Sequence, residues 1–256
     1  MSLIGEDHVY SYSQLTQFAE CPFSFYLERI EKVPKASSAF AEQGTLMHQI
    51  LDEWARGEIA VEDMPAEFEK RYPEVVVTQF PPILAAKGYS RKNYEQCLEY
   101  LRNFDGFKDL EIIGTETKFE TTLADRPFMG VVDMVARDKE TGDFIVLDHK
   151  SKSLSSFRKT EEEMYRQQYV YSKYVREKYG VWPTMLMFNL FKENGARMKK
   201  HFDANEYEKT LRWARGIMEK IEAFDMFDWL QSKEKSDFFC KELCNVRHEC
   251  PISIEK

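Results

Sequence analysis

The chain has 256 residues, of which 43% are hydrophobic and 31% charged, and its formal net charge is −8 at pH 7. This balance is typical of a folded globular protein and excludes a wholly disordered chain. No stretch approaches the roughly 18 uninterrupted apolar residues that a membrane helix needs, and no apolar signal core follows Met1. We therefore expect a soluble cytoplasmic protein, on which any surface that binds a polyanion is local.

The first hundred residues are predicted to be mainly helical. Ser13 is expected to cap the first helix, and Pro22 suits the first turn of the second. Helices are predicted over residues 13–20, 22–30, a segment from Leu46 to Trp54 that ends at Gly57, and 91–104. Residues 58–90 are rich in proline and have no sustained period, which predicts an insert with short helices.

The rest of the chain alternates strands and helices. Strands are predicted over residues 111–122, 128–137, 143–150, 181–191 and 196–202, and helices over residues 161–179 and 205–230. Asn194-Gly195 is a strong signal for a hairpin turn. The pattern predicts an α/β fold with a mixed central sheet flanked by helices, formed by residues 1–256 as a single domain with a cysteine-bearing tail at residues 231–256.

Two carboxylates and a lysine are predicted to meet on neighbouring strands. Asp148 and Lys150 share a strand face because side chains alternate with a period of two. If the hairpin loop is centred between Glu140 and Thr141, facing residues have numbers that sum to 281, so Asp133 faces Asp148 with the Cβ atoms roughly 5 Å apart. Two facing carboxylates favour a cation between them. The alternative, a solvated hairpin end, is weakened by apolar neighbours on both strand faces.

Four of the five cysteines form a second candidate site. Cys240, Cys244 and Cys250 are close in sequence, and Cys21 can join them only if the two ends of the chain meet. Four thiolates suit a [4Fe–4S] cluster or a structural zinc ion, and the alternative is a small hydrophobic cluster of free cysteines. Cys97 lies on an apolar helix face and is expected in the core.

The motifs together resemble the PD-(D/E)XK nucleases, in the form found in RecB-family exonucleases. Gly130-Val-Val-Asp133 followed by Asp148-His-Lys150 is similar to the motif that names the superfamily. The segments Gly44–His48 and Gln167–Tyr171 resemble the Gly-x-x-x-His and Gln-x-x-x-Tyr motifs of the RecB family. The cysteine pattern resembles that of the iron–sulfur AddB and CRISPR-associated RecB-like exonucleases, although three residues, rather than the usual two, separate Cys240 from Cys244.

This resemblance implies a restriction-endonuclease-like core and a Mg²⁺- or Mn²⁺-dependent deoxyribonuclease, an exonuclease, in DNA repair, recombination or phage DNA processing. The implied metal ligands are His48, Asp133, Asp148 and the carbonyl of His149, with Glu116 as a further candidate. Lys150, Gln167 and Tyr171 are the other implied catalytic residues, and Cys21, Cys240, Cys244 and Cys250 the implied iron–sulfur ligands. DNA is the implied substrate, and a helicase or recombination protein the implied partner.

Two other interpretations of the sequence stay open. The first is a catalytically idle subunit on the same fold that binds DNA ends, and the second is a metal-dependent hydrolase of another phosphoester. Basic residues that could follow a nucleic-acid backbone, or that could simply be solvated, are Lys150, Lys152, Arg158, Lys159, Arg197, Lys199 and Lys200.

Overall fold

The computed structural model describes residues 4, 5, 7–224 and 238–254, without the side chains of residues 252 and 254. The chain divides into two compact units, each described separately below. The larger unit comprises residues 39–119 and 131–208, and the smaller unit comprises residues 1–38, 120–130 and 209–256. The prediction that residues 1–256 form a single domain stays a prediction.

After an unpredicted two-residue strand at Tyr10–Ser11, the main elements follow the predicted order of helices, a three-strand meander, helix, hairpin and helix. The helices are α1 (Tyr12–Glu20), α2 (Pro22–Phe25), α3 (Ala39–Ala55), α4 (Met64–Val75), α5 (Pro82–Ala85), α6 (Tyr89–Arg102), α7 (Leu154–Lys159), α8 (Glu161–Tyr179), α9 (Ala204–Ala223) and α10 (Pro251–Ile254). The strands are β1 (Tyr10–Ser11), β2 (Leu110–Leu123), β3 (Arg126–Asp138), β4 (Phe144–Lys150), β5 (Met185–Leu190) and β6 (Ala196–His201). Short π-helical turns cover Tyr26–Ile30 and Phe239–Leu243, and 3₁₀ turns cover Val61–Asp63 and Phe191–Glu193.

The strands form one mixed sheet, which confirms the predicted fold class. The hydrogen-bonded order is β1-β3-β4-β5-β6, and β2 also pairs with β3. The β3–β4 and β5–β6 pairs are antiparallel, whereas β4 and β5 are parallel and are joined through α7 and α8. A parallel pair needs such a crossover because its strands run in the same direction. The sheet therefore places the end of β4 beside β3 on one side and β5 on the other.

The hairpin register is the one predicted from the loop. Four residue pairs, from Met134↔Leu147 to Arg137↔Phe144, all have numbers that sum to 281. The central residues of β4 are buried on both faces, as expected for a strand between two others with helices packed on the sheet. The ladder stops one pair short of Asp133 and Asp148, where side chains take over the hydrogen bonding.

Some predicted boundaries were wrong. The N-cap of α1 is Ser11, in extended conformation, whose hydroxyl accepts a hydrogen bond from Gln14 N, so Ser13 lies inside the helix. Strand β5 begins at Met185 rather than at residue 181, since Gly180 ends α8 with φ +76° and Pro183 has no N–H for a ladder. The helix predicted to end at Leu230 is helical from Ala204 to Ala223, and residues 225–230 lie outside the described residues.

Residues 58–90 contain short helices, as predicted, and their assignment as an insert stays a prediction. The main helix of this segment is α4, which contains Pro73 near its C-terminal end and buries Phe68 completely. Phe68 belongs to the core of the larger unit together with Leu46 and Ile50 of α3 and Met134 and Leu147 of the sheet. Each such side chain contributes about 1.5–3 kcal/mol when it is buried. This packing holds α3 on the sheet, and the opposite face of α3 remains open to the site described next.

None of the helices in the described residues is both long and apolar enough to span a bilayer.

Candidate metal and catalytic site

A buried ion pair lies at the C-terminal end of β4, in the larger unit. Asp148 is 1% exposed, and Lys150 Nζ lies 2.7 Å from its Oδ2 atom. The two side chains reach each other because they are two residues apart on one strand face. Asp148 Oδ1 is buried and receives no hydrogen bond from the part of the chain that the structure describes. An unpaired oxygen of this kind is costly unless another group binds it.

Asp133 sits where β3 and β4 part. Its Oδ2 atom accepts a hydrogen bond from His149 N at 3.0 Å. The carboxylate thus accepts the hydrogen bond that a backbone carbonyl of β3 would accept if the ladder continued. On the other side of β3, Thr115 Oγ1 of β2 donates to the carbonyl of Asp133 at 3.0 Å. Both contacts fix Asp133 at the point where the strands open.

His48 reaches the same place from α3, across 101 residues of sequence. Its Nε2 atom lies 3.0 Å from the carbonyl oxygen of His149, which can only accept, so Nε2 carries the proton of the neutral ring. Its Nδ1 atom lies 3.4 Å from Asp133 Oδ2 and 3.5 Å from Glu116 Oε1. A neutral imidazole therefore points a lone pair at two carboxylates. That arrangement is favourable only when a proton or a metal cation lies among the three groups.

Glu116 owes its position to an uncommon backbone conformation. It lies within β2 yet has φ +43°, in the left-handed region that residues other than glycine rarely adopt. The conformation interrupts the alternation of the strand and turns the carboxylate toward His48. Strained residues of this kind occur where the surrounding structure holds them for a function. A period-two pattern cannot reveal such a turn, so the sequence offered Glu116 only through family resemblance.

Burial and like charge dominate the electrostatics of the site. Burial, followed by the negative charge of Asp133, raises the pKa of Asp148 to about 6. Burial alone would lower the pKa of Lys150, but the charges of Asp148 and Asp133 outweigh it and raise that pKa, so Lys150 stays an ammonium group. Burial likewise opposes protonation of His48, yet Glu116, Asp133 and Asp148 raise its pKa overall. The site therefore holds an excess of negative charge.

The donor set fits a divalent cation. His48, Glu116 and Asp133 each offer one ligand atom, and these atoms all lie within 4.8 Å of one another. Carboxylate oxygens with one imidazole suit Mn²⁺ and, with more oxygen ligands, Mg²⁺. Asp148 is not a member of this group of three, and its buried Oδ1 atom receives no hydrogen bond from the described residues. Of the expected ligands, the structure brings His48 and Asp133 together with Glu116, whereas Asp148 contacts Lys150 and the carbonyl of His149 contacts His48.

Gln167 and Tyr171 lie one turn apart on α8. Gln167 Nε2 donates to the hydroxyl oxygen of Tyr171 at 3.0 Å, as expected for residues four apart on a helix. Burial raises the pKa of Tyr171 to about 12, so the phenol is neutral at physiological pH. The neighbouring Gln168 has a structural role, because it is fully buried and donates to the carbonyl of Met187 at 2.6 Å.

Sequence reasoning missed the polar contacts behind β4. The side chain of His149 is 3% exposed, and its Nδ1 atom lies 2.9 Å from Asn189 Nδ2 of β5. Asn189 also donates to the hydroxyl oxygen of Tyr100 at 2.7 Å. Since Asn189 Nδ2 is a donor, His149 Nδ1 accepts, and burial keeps the pKa of His149 well below its usual value. A lone asparagine within the apolar strand β5 is the signal that could have revealed this contact.

The smaller unit contains the cysteines expected to bind a cluster. Cys21, Cys244 and Cys250 pack against one apolar cluster of Phe23, Leu27 and Val246. Burial raises the pKa of the Cys244 thiol, and the thiols of Cys21, Cys250 and Cys240 raise it further, so the four sulfur atoms share one neighbourhood. Whether they hold an iron–sulfur cluster or zinc stays a prediction.

Cys97 lies elsewhere, in the core of the larger unit, as expected. Its side chain is fully buried, and Gln43 Nε2 lies 2.8 Å from its sulfur.

Two of the basic residues named above, Arg197 and Lys152, have partners within the protein. Arg197 of β6 forms contacts with Asp109 at 2.7 Å and with Asp105 at 3.0 Å, so its charge is largely neutralised within the protein. Lys152, just after β4, donates to Thr160 Oγ1 at 3.0 Å. Arg197 is therefore better explained as a structural residue than as a contact for a nucleic-acid backbone.

Comparisons with known proteins bear on this geometry. The family model described as "PD-(D/E)XK nuclease superfamily" matches residues 9–251. One similar solved structure is the crystal structure of a "Putative exonuclease" from Eubacterium rectale, which is 14% identical, with a TM-score of 0.49 over 98% of this chain and 88% of that one. No curated protein is significantly similar to the chain. The match to the family model spans nearly the whole chain and includes every residue of the site, and the protein belongs to the PD-(D/E)XK nuclease superfamily.

Proposed function

We propose that the protein is a divalent-metal-dependent deoxyribonuclease that degrades DNA as an exonuclease. The observation that carries the proposal is the convergence of His48, Glu116 and Asp133 beside the buried Asp148–Lys150 pair. Exonuclease action rests on the resemblance of the motifs to those of RecB-family enzymes.

The metal would be held by Nδ1 of His48, by the carboxylates of Asp133 and Glu116, and by the free oxygen of Asp148. The carbonyl of His149 has a second lone pair and can complete the set. When bound, a divalent cation polarises a phosphate and lowers the pKa of a coordinated water. Mn²⁺ and Mg²⁺ are the expected ions, because most donors are oxygen atoms.

The remaining residues have distinct roles in the proposed reaction. Lys150 stays charged, and its ammonium group stabilises negative charge that develops on the scissile phosphate. The Asp148 carboxylate holds that ammonium in place at 2.7 Å. Gln167 and Tyr171 offer neutral hydrogen-bond donors that orient the strand through phosphate or sugar oxygens, which fixes register without reading sequence. His48 keeps its imidazole oriented by donating from Nε2 to the carbonyl of His149.

Degradation of linear DNA tests this proposal. Wild-type protein and the Asp148→Ala variant are incubated with single- or double-stranded DNA and Mn²⁺ or Mg²⁺. We expect metal-dependent cleavage by the wild type that the variant lacks, and resistance of closed circular DNA if the enzyme is an exonuclease. Intact protein that binds DNA ends but cuts nothing with either metal would favour the non-catalytic subunit, and equal cleavage by the variant would refute the assigned site.

We also propose that Cys21, Cys240, Cys244 and Cys250 bind a [4Fe–4S] cluster that stabilises the smaller unit. Three of these thiols, those of Cys21, Cys244 and Cys250, pack against one apolar cluster, and all four influence the pKa of Cys244, which supports this proposal. Anaerobically purified protein is expected to absorb broadly in the visible region and to contain iron and sulfide. Colourless protein with stoichiometric zinc would replace the cluster by a structural zinc site.

A further inference from the structure

A cleft of about 470 Å³ runs along α3 beside the candidate site. Its lining residues are Ala41, Gly44, Thr45, His48, Gln49, Asp52 and Glu116. All except Glu116 belong to α3, at spacings that place them on one face of the helix. Since His48 and Glu116 are also members of the candidate metal site, this cleft is the space next to the proposed reacting centre.

The charges along the cleft are uneven. Asp52 and Glu116 are acidic, whereas Ala41, Gly44 and Thr45, toward the start of α3, are small and uncharged. A phosphodiester backbone is repelled by carboxylates that no cation neutralises. Asp52 is paired with Arg56 at 2.9 Å, but its Oδ1 atom is buried without a hydrogen-bond partner in the described part of the chain. The small, neutral end is therefore where a nucleic-acid strand can lie against α3.

Gly44 is the unusual residue at that end. It occupies an interior position of α3, where glycine destabilises a helix relative to alanine. Neither packing nor backbone geometry explains it, because a Cβ atom at this position would meet no atom within 4 Å and its φ is not in the left-handed region. The space beside Gly44 is the open cleft. A glycine in such a place allows another backbone to approach closely.

We propose that Gly44 is a positioning residue for the substrate, and that the sugar–phosphate backbone next to the scissile phosphate lies against it. This inference rests on the proposed nuclease function. The strand packs against the bare helix surface, and the exposed Thr45 and Gln49 side chains offer uncharged donors to its oxygen atoms. A side chain at residue 44 would occupy the place of the strand and displace it from the reacting centre.

The test uses two glycines that the structure makes comparable. Gly216, in the interior of α9 in the smaller unit, also has no atom within 4 Å of a Cβ position. The variants Gly44→Ala and Gly216→Ala are both expected to fold and to raise the midpoint of thermal unfolding, because alanine is the better helix former. Gly44→Leu adds a larger side chain at the same position. A Gly44→Ala variant that is more stable but less active identifies a substrate contact, because loss of a structural glycine would lower the stability of the fold.

Two measurements are made on the full chain. Cleavage of a labelled linear DNA with Mn²⁺ gives kcat and KM, and fluorescence anisotropy of a labelled DNA with Ca²⁺ gives affinity. We expect Gly216→Ala to match the wild type in both assays. A displacement on the order of 1 Å can reduce catalysis by about 10²-fold, so we expect kcat/KM to fall about tenfold in Gly44→Ala and about 10²-fold in Gly44→Leu, with weaker binding in Gly44→Leu.

The outcomes separate this inference from the proposed function. Wild-type cleavage with undiminished cleavage by Gly44→Leu overturns the inference and leaves the nuclease in place. If the wild type binds DNA without cutting it, the proposed nuclease activity is refuted. The anisotropy of Gly44→Leu then still tests the surface, since unchanged affinity would overturn the inference. A wild type that neither binds nor cuts overturns both. If the variants at residue 44 alone are unfolded, the glycine is structural, contrary to the inference.

Discussion

Metal binding to the group of His48, Glu116 and Asp133 should raise the midpoint of thermal unfolding. For a protein with one metal site, the stabilisation is RT ln(1 + [M]/Kd), or about 2.7 kcal/mol at a metal concentration 100 times Kd. A protein of this size gains about 2–4 °C in the unfolding midpoint for each kcal/mol. We therefore expect Mn²⁺, added to EDTA-treated wild type at that concentration, to raise the midpoint by about 5–10 °C.

The perturbation is Asp133→Asn, which removes a charge and keeps an oxygen that can accept from His149 N. Loss of a group that merely orients a metal ligand lowers affinity about 10–100-fold, and loss of a charged ligand lowers it at least as much. At the same Mn²⁺ concentration the stabilisation then falls to about 0.4–1.4 kcal/mol, or about 1–5 °C. Without metal, the variant loses both the repulsion from Asp148 and the attraction to Lys150, and these losses oppose each other. Its free energy of unfolding should therefore lie within about 1 kcal/mol of that of the wild type.

The assay is thermal unfolding with and without Mn²⁺, and the matched control is Asp143→Asn. Asp143 is exposed in the same β3–β4 hairpin, so this control changes the net charge equally without touching the site. We expect the control to keep the full metal-induced shift. An equal shift in Asp133→Asn and the wild type would refute the reasoning, because the cation would then bind elsewhere.

Three further predictions follow from single contacts. Lys150→Met should lower kcat for DNA cleavage by about 10²–10³-fold while the Mn²⁺-induced shift persists, and loss of the shift would show that Lys150 instead holds the metal-binding side chains in place. Burial raises the pKa of Asp148 from 3.8 to about 6, so its ionisation destabilises the metal-free fold as pH rises through that range. Below pH 6 the metal must displace a proton from Asp148 and another from His48, whose pKa is also raised. The Mn²⁺ concentration needed for half-maximal binding should therefore rise at least about tenfold per pH unit on acidification, and a smaller rise would contradict this. Asn189→Leu should lower the free energy of unfolding by about 1–3 kcal/mol in urea, because His149 Nδ1 loses its partner, whereas the exposed Asn103→Leu should not.

The hairpin was predictable because its determinants are local. The loop between β3 and β4 sets the register, and the observed pairs sum to the predicted number. Once the register is known, Asp133 and Asp148 must lie at the end of adjacent strands, and Lys150 must share a face with Asp148. Burial of this region followed from apolar residues on both strand faces.

Other parts of the site depend on long-range packing or on backbone detail. The contact of His48 with the carbonyl of His149 joins residues 101 positions apart, and only the packing of α3 on the sheet creates it. Glu116 reaches the site through a left-handed backbone conformation, which a pattern of alternating side chains cannot predict. For these residues the motif resemblance, rather than periodicity, supplied the expectation.

The site combines several features that each oppose folding. Asp148 is buried beside another carboxylate, Glu116 has a strained backbone, and His149 keeps a buried Nε2 atom without a hydrogen-bond partner in the described residues. The buried Asp148–Lys150 ion pair and the hydrogen bonds to Asp133 and His149 offset part of this cost, and the apolar core beneath α3 and β4 supplies the remainder. Carboxylate repulsion is the one unfavourable feature that a divalent cation removes directly. Stability without metal and affinity for metal should therefore be linked: substitutions that neutralise Glu116 or Asp133 weaken metal binding without a comparable cost in the metal-free fold.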